Sequence, residues 1–164
     1  MHRVTIHGTP LHPLVVHGAV VLIPLAALGG ILFALRSAWR WWLRWPMVVT
    51  AVLAGGATGL AYLTGHSLNN QRFAQAQGVL RTAINNHRHW AHLLILATGI
   101  YVVIVLVGAW ALGGPSALVS GRGARETVAG WAVPMEVLLV VGALVVLVLV
   151  VLTGDAGAKA VWNP

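Results

Sequence analysis

The sequence predicts an all-helical membrane protein, a bundle of four transmembrane helices forming one domain over residues 1–164. Three observations carry that expectation. The chain is 59% hydrophobic and only 8% charged, a balance foreign to water-soluble domains. Four apolar runs, residues 14–35, 46–64, 90–112 and 131–153, each approach or exceed the roughly 20 helical residues that cross a bilayer core. The tryptophans gather at the ends of those runs, where amphipathic rings prefer to sit. Trp39, Trp41, Trp42, Trp45, Trp110 and Trp131 mark one interface, and Trp90 and Trp162 the other.

The first span opens on His12-Pro13-Leu-Val-Val-His17. Pro13 suits a first helical turn, where its missing N–H costs nothing. The run is too long for a signal-peptide core and lacks a basic start with a small-residue cleavage site, so it reads as a retained span. In the second span, Gly55 and Gly59 have the spacing that lets helices approach closely. Between spans two and three, Phe73, Ala76, Leu80 and Ile84 repeat at helical spacing against a polar face, which predicts a short amphipathic interfacial helix within residues 67–88. Residues 113–130, rich in Gly, Ser and Ala, read as a flexible loop. Glu136 lies about one turn inside the fourth span. It is expected to pair with Arg44, Arg122 or Arg125, or else to begin a proton path.

Charge narrows the function. The net charge of +7 comes from Arg and Lys in loops and at helix ends, which fits topology and lipid headgroups rather than nucleic acid. The acidic residues are only Glu126, Glu136 and Asp155, too few for a catalytic carboxylate pair with partners or a carboxylate metal cage. With no cysteine there is no disulfide, iron–sulfur cluster, covalent haem or blue-copper site. Any redox centre must use histidine. Basic residues divide equally between the two sides, but Arg36, Arg40 and Arg44 share one short loop, which places that loop in the cytoplasm and the opposite end outside.

That opposite end carries every histidine: His2, His7, His12, His17, His66, His87, His89 and His92. Histidine is the commonest metal ligand, and a polar ring inside a span is costly unless paired or liganded. His17 and His92 lie at equal depth on different helices. They are the first candidates to hold a b-type haem, with His89 one turn nearer the surface and His12 at the interface. A copper or zinc ion would instead draw on three or four of His12, His17, His66, His89 and His92. Asp155 lies near enough in sequence depth to accept a hydrogen bond from a ligand's second nitrogen. The third reading is a non-catalytic subunit or assembly protein that docks through this end. All three describe an electron-transfer or accessory subunit more readily than a stand-alone enzyme.

His12-Pro-Leu-Val-Val-His17, the Gly55…Thr58-Gly-Leu…Gly65 run, the histidine-bearing start of span three and Gly154-Asp-Ala-Gly157 together resemble a bacterial four-helix membrane family, domain of unknown function 2231. The chain departs from that pattern at Gly18-Ala19, where a phenylalanine–proline pair is usual, and at His66, where an acidic residue is frequent. Members are sometimes fused to Rieske-type iron–sulfur domains. The resemblance therefore implies a bacterial cytoplasmic membrane, a Rieske-type or other redox partner, and His12, His17 and a third-span histidine as the matching positions.

Overall fold

The computed structural model describes residues 5–6 and 9–162. Two strands of two residues each, β1 (Thr5–Ile6) paired antiparallel with β2 (Thr9–Pro10), precede α1 (Leu11–Leu35). A 3₁₀ turn, Ser37–Trp39, joins α1 to α2 (Arg40–Arg72). Then follow α3 (Gly78–Ala111) and α4 (Ala132–Trp162). All four helices are long and apolar enough to cross a membrane. The chain is a multi-pass membrane protein. His2 and His7 lie outside the described residues.

Each helix packs on two neighbours, α1 on α2 and α4, and α3 on α4 and α2. The inward stripes repeat at helical spacing: Ala19, Ile23, Ala26/Ala27 and Phe33 on α1; Met135, Leu139, Ala143, Val146 and Val150 on α4. Small residues are common in these stripes, so backbones approach closely. Large apolar side chains such as Val21, Leu25, Leu28, Leu60, Ile100, Val103 and Val148 face outward instead. In water that surface would be an aggregation liability; against lipid it is the expected coat. At mid-bundle, Tyr101 of α3 donates its hydroxyl to Ala26 O at 3.3 Å. It fits because Gly30 and Gly142 carry no Cβ: one at Gly30 would overlap the hydroxyl, and one at Gly142 would lie 2.8 Å from the ring.

The helices outrun the apolar segments. At about 1.5 Å per residue, α2 and α3 are about 50 Å long, against a hydrocarbon core of about 30 Å. Most of the excess projects at the histidine end. There the expected interfacial helix is not a separate element. Residues 67–72 are the last turns of α2 and residues 78–88 the first turns of α3, with a turn between them. From Val79 to Trp90 no glycine or proline interrupts the chain, so α3 runs unbroken from its polar start into its apolar span.

At the other end, two arginines of α2 are nearly buried, Arg40 at 4% and Arg44 at 7% exposure. Arg40 makes four hydrogen bonds, to Phe33 O, Ala34 O, Gly113 O and Glu136 Oε1. Helix C-termini leave carbonyls unpaired and favour a cation, so one guanidinium closes the ends of α1 and α3 and fixes α4. Glu136 thus pairs with Arg40, at 2.7 Å, rather than with Arg44, Arg122 or Arg125. Arg44 bonds Leu112 O at 2.8 Å, and both guanidiniums lie over the Phe33 ring. The connection after α3 is tied down rather than free: Gly114 and Arg125 form a bridge, Gly113 N–H donates to Thr127 Oγ1, and Val128 N–H to Ala111 O.

Candidate functional site: the histidine end

His12 and His87 meet at this end, with ring centroids 6.5 Å apart and ring planes at 75°. His12 stands in the first turn of α1 and leans onto α2. Its Nδ1 is 2.9 Å from Ala61 O and 3.3 Å from Thr64 Oγ1. His87 stands on the overhang of α3 and leans onto α4, with Nδ1 3.1 Å from Thr153 O. A carbonyl can only accept, so in each ring Nδ1 donates and the neutral imidazole keeps its lone pair on Nε2. Both rings are half-buried.

The two seats are built alike. His12 bonds the carbonyl of Ala61, and a Cβ on Gly65 would lie 2.9 Å from its Cε1. His87 bonds the carbonyl of Thr153, and a Cβ on Gly157 would lie 3.1 Å from its Cε1 and Nδ1. In both cases the glycine follows the accepting residue by four positions, one helical turn. An imidazole can therefore share a carbonyl of the neighbouring helix where the missing side chain leaves room. The hairpin α1–α2 supplies one ring and the hairpin α3–α4 the other.

The remaining candidates are dispersed around the same end. His17 is exposed, and its Nδ1 donates to Pro13 O of its own helix at 2.6 Å. His92 is exposed beside Tyr62, with Nδ1 3.4 Å from the hydroxyl. His89 is exposed and stacks edge-on against Trp90. His66 is exposed. Asp155 pairs with Lys159 at 2.7 Å on its own helix rather than with a histidine. Among the described residues no group of three or more histidines or carboxylates is gathered as a metal site.

Helix geometry explains this division. His12 and His17 are five residues apart, as are His87 and His92, and five residues turn a helix by about 140° relative to the starting face. With His12 and His87 turned inward, His17 and His92 face outward. Equal depth had singled out His17 and His92, but depth says nothing about azimuth. His87 was not among the sequence candidates, and neither Gly65 nor Gly157 was paired with a particular histidine. The signal available was the pairing of each inward histidine with a glycine on the next helix of its hairpin.

A model of predicted membrane proteins, DUF2231, matches residues 8–164. The chain belongs to that family. The match takes in both hairpins and both histidine seats, so the site lies within the region that defines this DUF2231 protein. No curated protein and no solved structure matches the chain.

Proposed function

We propose that this DUF2231 chain is a membrane-embedded subunit that binds a b-type haem at its histidine end and takes part in electron transfer. The observation that carries the reading is the meeting of two half-buried imidazoles from separate hairpins, each with its Nδ1 already engaged. Neutral imidazoles presented by facing helices are the ligands such a haem uses. Held by His12 of one hairpin and His87 of the other, such a haem would supply one-electron transfer, which suits a carrier better than a catalyst. The scarcity of carboxylates and the lack of cysteine point the same way. In this reading the histidine end faces out of the cytoplasm of a bacterial inner membrane, toward a redox partner such as a Rieske-type protein.

The test is the visible spectrum of the full chain purified in mild detergent. A strong haem band that shifts on reduction supports the reading. A colourless protein that also fails to take up added haemin overturns it. Stoichiometric copper or zinc in that colourless protein favours a metal-ion site; its absence favours a docking or assembly role for the helical overhangs.

A further inference from the structure

We infer that His12 and His87 are the two trans ligands of a single metal centre, the haem iron, and that Gly65 and Gly157 are positioning residues that let the rings reach it. This rests on the haem reading and assigns its ligands. The separation is the first argument. Two imidazoles bonded at about 2.0–2.1 Å on opposite sides of one metal put their ring centres about 6.3 Å apart, whereas a tetrahedral pair comes to about 5 Å. The 6.5 Å between His12 and His87 fits the first arrangement. A 75° angle between the planes is compatible with it, because each ring turns about its own metal bond.

Orientation is the second argument. Metal-bound histidines characteristically donate their other ring N–H to a carbonyl or carboxylate, which fixes the tautomer and strengthens the donor nitrogen. Both rings already make that bond, to Ala61 O and Thr153 O. His17 also donates to a carbonyl, but its ring is exposed on the outer face of α1, and His92 is exposed beside Tyr62.

A third observation lies one turn beyond Gly65 on α2. Asn69 is 9% exposed, its Nδ2 donates to Asn70 Oδ1, and its own Oδ1 has no hydrogen-bond partner among the described residues. That leaves a polar acceptor of α2 unmet one turn beyond the seat of His12.

The test uses haem-loaded full-length protein and the variants His12→Met and His87→Met. Replacing one ligand of a bis-histidine haem by methionine keeps a ligand, raises the midpoint potential and alters the reduced spectrum. Both variants are expected to do this, which loss of packing alone would not. Gly65→Ala and Gly157→Ala keep both imidazoles but displace them, and each is expected to weaken haem binding by about tenfold. His17→Ala and His92→Ala are expected to keep the wild-type spectrum. Pigmented methionine variants with wild-type potential and spectrum overturn the ligand assignment and leave the haem reading standing. A wild-type protein that takes up no haem but binds one copper, lost in both His12→Ala and His87→Ala, overturns the haem and supports the paired site. Binding of neither overturns both.

Discussion

The two ends of the bundle both bury polar side chains, and they use them differently. At the arginine end, Arg40 directs its hydrogen bonds at helix carbonyls and Glu136, so the cation is matched by groups of the same chain. A cleft of about 560 Å³ opens beside it, lined by Ser37, Gly113, Gly114, Arg125 and Thr127, but the buried guanidinium is already engaged. At the histidine end, each inward ring has one nitrogen tied to a carbonyl and the other left with its lone pair. The first arrangement holds helices together. The second holds helices together and still has a bond to offer.

That contrast makes the two ends separable by mutation. The largest loss of stability is expected at the arginine end. Arg40→Ala strips two helix ends of their cation and leaves three buried carbonyls without their charge-assisted hydrogen bonds, which should cost about 3 kcal/mol or more. A thermal melt in detergent measures it, and haem content per folded molecule should not change. His87→Ala should do the reverse: pigment is lost, while stability falls by no more than about 0.5–1.5 kcal/mol, the worth of one hydrogen bond.

A smaller effect is expected at the middle. Gly30→Ala places a Cβ against the Tyr101 hydroxyl and should destabilise by about 1–3 kcal/mol, as overpacking commonly does. Tyr101→Phe in the same chain should recover much of that loss, and a double-mutant cycle reads the coupling. The smallest effect belongs to Asp155–Lys159. It is an exposed pair one turn apart on α4, and Lys159→Ala should change stability by less than about 1 kcal/mol. A Lys159→Ala variant with altered pigment would instead draw Asp155 into the site. Orientation is open to a separate check: external labelling of single cysteines at Asn70 and Ala160, but not at Ser120, is expected if the histidine end faces outward.

Much of the fold was legible in the sequence because hydropathy reports what the lipid requires. Four apolar runs and the tryptophans at their ends predicted four spans, and α1 to α4 cover them to within one residue. Hydropathy does not report where a helix stops. The overhangs of α2 and α3 were therefore read as an interfacial helix, although only the short segment after Arg72 interrupts them. The partner of Glu136 was hidden for a related reason: Arg40 looked like a loop residue, and only as the first residue of α2 does it reach the ends of α1 and α3. The histidine end was legible as a region. Within it, His12 could be named and His87 could not, because helix depth was available and facing was not. Reading the five-residue spacing as a rotation of about 140° separates the inward rings from the outward ones.

The claim that the inward pair carries the function comes down to His87 against His92, five residues apart on one helix. The decisive measurement is the haem content of His87→Ala and His92→Ala, purified side by side and titrated with haemin. The account predicts that His92→Ala binds haem like the wild type and His87→Ala does not. Pigment retained in His87→Ala and lost in His92→Ala would contradict it.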